Sequence, residues 1–230
     1  LATLGYKATG CGIRYEYGLF QQKIVDGYQV EVPDSWLENG TSWEIALPEE
    51  TEIVKFGGFV EVKEGDGRLI YEHKGYQSVR AVPYEMPILG YRSDVVNSLR
   101  LWAARATKHL DMSLFGQGKY MDALEEKELA EVISKVLYPD DNHPQGKALR
   151  LKQQYFFVSA SIQSAVRKYR KQYGANFAEF PSHVVIHIND THPALAIPEL
   201  MRILVDEEGL EWDQAWRITK NTFAYTNHTI

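Results

Sequence analysis

The richest stretch of potential chemistry runs from Tyr138 to Arg150, YPDDNHPQGKALR, where two carboxylates, an amide and an imidazole fill the consecutive positions Asp140 to His143. Asp, Asn and His side chains held on a turn that leads into a long helix offer fixed hydrogen-bond geometry. A hydroxyl-rich ligand such as a sugar needs that arrangement. Asp190, His192 and His228 lie far along the chain and are expected to converge on this run. Arg150, one turn into the helix, can meet an anion or pair with an acidic neighbour, and its residue type alone favours the pair.

Asp190-Thr191-His192 follows a short apolar run and admits three readings. His187, Asp190 and His192 are metal-ligand types, but strand alternation separates His187 from the turn and no second pair has ligand spacing. Asp190 could orient His192 as a general base. Asp190 or Thr191 could instead cap a helix with Pro193 at or near its first position, which is compatible with a functional role. Cys11 lies in a Gly-flanked strand with no base nearby, a poor setting for a nucleophile. Gly10-Cys11-Gly12 lacks the third glycine of a dinucleotide loop, and neither a Walker motif nor a Gly-x-Ser-x-Gly elbow occurs.

The elements that must position these groups fall into two stretches. About residues 10–110 read as β-rich: Ile13 to Tyr17, Lys23 to Val32 and Val54 to Lys63 alternate, the last with a bulge at Gly57-Gly58. A hairpin turn at Glu64 to Gly67 returns through Arg68 to Glu72. Ser78 to Tyr84 is a further strand, and Val96 to Ala103 could be a helix but reads better as a strand with Leu99, Leu101 and Ala103 on one side. Residues 115–230 read as α/β. Met121 to Leu137 and Gly146 to Tyr173 have helical spacing, and the second carries Arg167, Lys168, Arg170 and Lys171 near its end and stops at Gly174. His183 to Ile188 is a short strand. Ala194 to Val205 is a helix in which Pro198 must kink or restart the chain, and Trp212 to Thr222 is a last helix leading into Phe223 to Ile230. Strand–turn–helix units after a β-rich segment indicate an α/β domain with a β insertion, in which ligands sit beyond the carboxyl ends of the strands.

Composition narrows the partners. With 25 Lys and Arg against 31 Asp and Glu, the 230-residue chain carries a net −6, a balance that does not attract nucleic acid or an anionic membrane, which would need a clustered basic face. The basic residues near Gly174 read as a solvated helix end. A hydrophobic content of 44% suffices for a real core. No run approaches the roughly 20 apolar residues of a membrane span. The single cysteine excludes an internal disulfide framework and fits a reducing, cytoplasmic compartment. The abrupt start at Leu1 and stop at Ile230 suggest an internal piece of a longer polypeptide.

Several motifs occur in a fixed order: Ala2 to Gly5 (ATLG), Gly12 to Gly18 (GIRYEYG), Tyr138 to Phe156, Asn189 to Pro193 (NDTHP) with Ile197 to Arg202 (IPELMR), and Tyr225 to Thr229 (YTNHT). Together they resemble the α-glucan phosphorylases, the glycogen, starch and maltodextrin enzymes, from the first residue to the last. The resemblance implies part of the Rossmann-like N-terminal domain of a glycosyltransferase-B fold with a β-rich insertion. It also implies phosphorolysis of α-1,4-glucan ends to glucose 1-phosphate with retention, and a homodimer in the full-length form. Pyridoxal phosphate would be bound by a C-terminal domain absent here, so the fragment is expected to be inactive alone. Asp141, Asn142, Arg150, Asp190, His192 and His228 would bind substrate. Of these, Asn142 would bond a glucose hydroxyl, and His228 would be the catalytic contact to the 6-hydroxyl, with its backbone carbonyl toward the anomeric carbon. His143-Pro144 after that Asn resembles the bacterial pattern. By the resemblance the helix Met121 to Leu137 would correspond to one that packs on its twin in family dimers, and its sequence fits a plain surface helix equally well.

Overall fold

A computed structural model describes residues 1–65, 67–107 and 112–228. In chain order its strands are β1 (Thr9–Ile13), β2 (Gln21–Val25), β3 (Tyr28–Val32), β4 (Ile45–Ala46), β5 (Glu52–Phe56), β6 (Phe59–Gly65), β7 (Arg68–Lys74), β8 (Gln77–Leu89) and β9 (Val96–Ala106). The helices α1 (Met112–Gly116), α2 (Tyr120–Glu131), α3 (Pro144–Tyr173) and α4 (Phe180–His183) follow. The described chain then runs through β10 (Ile186–Asn189), α5 (Ala196–Arg202), α6 (Trp212–Thr222) and β11 (Phe223–Thr226). The fold is mixed α/β. It divides into two compact units, Leu1–Ile53 with Val79–Gln153, and Val54–Ser78 with Gln154–Ile230.

In the first unit β1 pairs parallel to β9, β9 antiparallel to β8, and β8 antiparallel to β4. The sheet carries a buried charge at its centre. Arg100 on β9 sits opposite Glu85 on β8, donates to it at 2.7 Å from Nε, and also meets Glu50 at 2.7 Å. Removal from water penalises a guanidinium unless anions surround it. Here they carry Arg100 above its ordinary pKa despite the burial. α2 packs on β9, and Ala103 and Ala104 on the strand and Ala123 and Ala130 on the helix are all buried.

In the second unit the parallel pair β10–β11 is joined through α5 and α6, the crossover that parallel pairing demands. The core beneath is aromatic and aliphatic: Phe177, Phe180, Tyr169, Leu200, Leu204 and Ile218 are all buried. α6 supplies Ala215, Ile218, Thr219 and Thr222 to the interior, the spacing of one helical face. The antiparallel hairpin β6–β7 also belongs to this unit, and Lys63, Lys74, Glu61 and Glu72 form an ion-pair lattice on one of its faces.

Several sequence expectations hold and several need correction. The strands at 78–84 and 96–103 exist and are longer than predicted, and the helix Trp212–Thr222 has the expected bounds. The return strand after Gly67 is present, while Asp66 in the predicted turn and the last two residues lie outside the described residues. The run at 13–17 pairs earlier, at Thr9–Ile13. Lys23 to Val32 is a hairpin and not one strand, because Asp26 and Gly27 take φ of 51° and 81°, a two-residue turn that alternation alone conceals. Gly57 and Gly58, at φ 68° and 78°, break the third run into β5 and β6 where a bulge was expected.

The helical stretch has its own corrections. The helix predicted to reach Leu137 ends at Glu131 and tightens into a 3-10 turn at Val132–Ser134. The carbonyls that follow are taken elsewhere: Glu16 N–H donates to Ser134 O at 2.8 Å, Tyr17 N–H to Lys135 O at 3.0 Å, and Gln153 Nε2 to Ile133 O and Val136 O. The long helix starts at Pro144, two residues before Gly146. His183 belongs to α4, started by Pro181, so the strand begins only at Ile186. Neither Asp190 nor Thr191 caps α5, which starts at Ala196 after a turn closed by Ala194 N–H to Thr191 O. Pro198 sits in the first turn of α5, where its missing N–H leaves no helical bond unmade. The irregularity comes later, as a π-helical turn at Ile203–Glu207.

Candidate functional site

The six predicted site residues form two groups, one in each unit: Asp141, Asn142 and Arg150 in the first, Asp190, His192 and His228 in the second.

The first group is built on the amino end of α3. Pro139-Asp140 brings the chain off Tyr138, itself at φ 53°. The Asp140 carboxylate then folds the loop over itself, accepting from Asn142 N–H at 3.0 Å and from Asn142 Nδ2 at 2.7 Å, an Asx-type turn. His143 Nδ1 accepts from Gly146 N–H at 3.1 Å and so ties the first turn of the helix. Gly146 is required by space: a Cβ there would fall 1.7 Å from Asp140 O. Arg150 Nη1 donates to Asp141 Oδ2 at 2.7 Å, and its guanidinium lies 5.9 Å from the Tyr138 ring centroid. The ion pair that residue type favoured is therefore present, and Arg150 spans both ends of the loop. Beneath it, burial reinforced by Tyr138 and opposed by Arg150 pushes the Tyr15 phenol up to about 12. Asn142 is exposed.

The second group stands at the carboxyl ends of β10 and β11. Their register pairs Asn189 with Thr226, and Asp190 N–H extends the ladder by donating to Thr226 O at 2.8 Å. Where it makes that bond and turns away, Asp190 adopts φ 66°, left-handed backbone uncommon outside glycine that Asp tolerates better than most residues. Its carboxylate accepts from Thr191 N–H at 2.8 Å and is 6% exposed. His192 is exposed on the following turn. His228, two residues beyond β11, meets Asn189 Oδ1 through Nε2. His187 Nε2 is engaged with Thr226 Oγ1. Among the described residues no group of three His, Cys, Asp or Glu side chains is placed to hold a metal ion.

Behind this group lies a polar cluster that sequence reading missed. Glu199 on α5 is 3% exposed and accepts from Ser159 Oγ at 2.6 Å, Tyr155 Oη at 3.1 Å, and Arg202 Nε and Nη2 at 2.8 and 2.9 Å. Arg202 also reaches Glu207 at 2.7 Å. Burial would lower the Arg202 pKa, but the Glu199 bonds carry it well above its ordinary value. Burial and the Glu199 charge push the Tyr155 phenol up to about 12. The cluster clamps α5, which follows the Asp190–His192 turn, onto α3. The Glu-x-x-Arg spacing within Ile197 to Arg202 was the only sequence signal for it. Asn189, Gln153 and Gly146 were likewise missed as supports, because their partners lie far away in sequence or on backbone.

Comparison with known proteins places the whole chain. A family model described as carbohydrate phosphorylase matches residues 1–230. Over its full length the chain is 50% identical to the brain form of glycogen phosphorylase from Bos taurus, covering 28% of that protein. It is 51% identical to the liver form from Ovis aries, covering 27%, and 50% identical to glycogen phosphorylase from Bacillus subtilis, covering 28%. The chain thus spans less than a third of the length of these relatives.

Proposed function

Because this chain belongs to the carbohydrate phosphorylase family, we propose that its full-length protein transfers glucosyl units from the non-reducing ends of an α-1,4-glucan to inorganic phosphate. The products are α-glucose 1-phosphate and a glucan shorter by one unit. The observation that carries this reading is the match along all 230 residues, at 50% identity to both animal and bacterial glycogen phosphorylases.

The chain's own residues would serve the glucosyl unit. Asn142 offers an exposed amide whose orientation is set by Asp140, suited to a sugar hydroxyl. Asp141, held by Arg150, adds an acceptor, and Arg150 acts by holding the loop. His228 would address the transferred glucose through its imidazole, and its backbone carbonyl would face positive charge developing at the anomeric carbon. Asp190 and His192 would line the acceptor side. This stretch corresponds to part of the N-terminal domain of a glycosyltransferase-B arrangement.

Pyridoxal phosphate is the cofactor the family implies. A Schiff-base lysine needs a desolvated setting, and among the described residues every lysine is exposed or half-buried. The residues described here do not fit that group, which would have to be held by another part of the full-length protein. Exposed Met121 and Leu129 on α2 support a homodimer. No described helix is long and apolar enough to cross a membrane, and the single exposed cysteine suits the cytoplasm.

The test is phosphate dependence. Full-length protein supplied with pyridoxal phosphate should shorten a maltodextrin in phosphate buffer and not in phosphate-free buffer. Glucan shortening without phosphate would make it a hydrolase, and binding without shortening would make it a carbohydrate-binding protein.

A further inference from the structure

One polar contact at the carboxyl ends of β10 and β11 has no part in the roles assigned above. Along β10, His187 and Asn189 fall on one face by strand alternation, and each reaches across to the neighbouring strand. His187 Nε2 meets Thr226 Oγ1, and His228 Nε2 meets Asn189 Oδ1. The second contact spans 39 positions in sequence and depends on the parallel register of Asn189 with Thr226. That register is locked one residue further on by the Asp190 N–H to Thr226 O bond, made by a residue in left-handed backbone. The turn therefore serves to hold Asn189 level with the segment that carries His228.

An exposed imidazole beyond the last strand residue has a broad torsional preference about its ring bond, so a neighbouring acceptor selects the ring orientation. An amide oxygen only accepts. Paired with it, Nε2 carries the proton, which in the neutral ring leaves Nδ1 as the acceptor. We propose that Asn189 is a positioning residue for His228, fixing both the orientation of the imidazole and the nitrogen it presents to a bound sugar hydroxyl. The proposal rests on the reading of His228 as a glucosyl contact and adds a residue to it.

Two measurements on the full-length protein test it. Crystal structures of the wild type and of Asn189→Leu, which keeps the volume and removes the acceptor, should show the His228 ring leaving its orientation in the variant. An unmoved ring overturns the proposal whether or not the protein is a phosphorylase. In phosphorolysis assays, Asn189→Leu should lower kcat about tenfold or more with KM little changed. Asn189→Asp, which restores an acceptor at the same place, should recover most of that loss. A Leu variant with wild-type kcat, or an Asp variant no better than Leu, also overturns it. If the wild type forms no glucose 1-phosphate, the phosphorylase reading fails on its own and the ring orientations alone decide the role of Asn189.

Discussion

The side chains most exposed to a ligand carry the sharpest expectations. Asn142→Ala removes an amide that Asp140 has already oriented, so its loss should act on substrate and hardly on the fold. In full-length protein kcat/KM for glucan should fall about ten- to a hundredfold, the equivalent of one or two lost hydrogen bonds, with the unfolding midpoint unchanged. Arg150→Met is the contrasting case. The ion pair with Asp141 is partly exposed, with side chains 31% and 48% accessible, so it should be worth less than about 1 kcal/mol to stability. Its loss should instead free the loop and appear as a raised KM, measured beside a denaturation curve. The sequence singled out Asp141, Asn142, Asp190, His192 and His228 as candidates by residue type and motif. It could not reveal that Asp190 takes left-handed backbone while bonding Thr226, because that partner is 36 positions away in the numbering.

Elements hold these groups through contacts that run between helices and loops. Gly146→Ala sets a methyl against Asp140 O, backbone that has no flexible end to give way. We expect the loop at 140–142 to be displaced and stability to fall by more than about 2 kcal/mol, read by denaturant titration. Glu199→Gln leaves Arg202 without its bidentate anion inside the clamp between α3 and α5. Unfolding free energy should drop by about 3 kcal/mol, and an unchanged value would show that the clamp contributes nothing. Helix α6 and strands β8 and β9 were legible because their periodicity is decided by their own residues. The end of α2 was not, since the carbonyls of Ile133, Ser134, Lys135 and Val136 are taken by β1's continuation and by Gln153. The misread turns at Asp26-Gly27 and Gly57-Gly58 had a visible signal, the paired positive-φ residue types, which alternation outweighed.

The chain as a whole has an alkaline limit written into two half-buried phenols. Tyr15 and Tyr155 have pKa values raised from 10.0 to about 12. Below about pH 10 both folded and unfolded forms keep these protons, and the stabilisation is complete. Between pH 10 and 12 only the unfolded chain releases them, so stability should fall over that window. Tyr155→Phe should flatten the fall in a pH series of denaturation curves. Family membership was legible from ordered motifs spread over the full length, whereas the division into two units, each assembled from separated stretches, is a property of packing that no local pattern carries. The central claim is a chemical one, that glucosyl units leave glucan attached to phosphate. It is tested most directly by following full-length protein, maltodextrin and inorganic phosphate with phosphorus NMR. The account predicts that the inorganic phosphate signal gives way to that of α-glucose 1-phosphate. An unchanged phosphate signal while reducing sugar accumulates would contradict it.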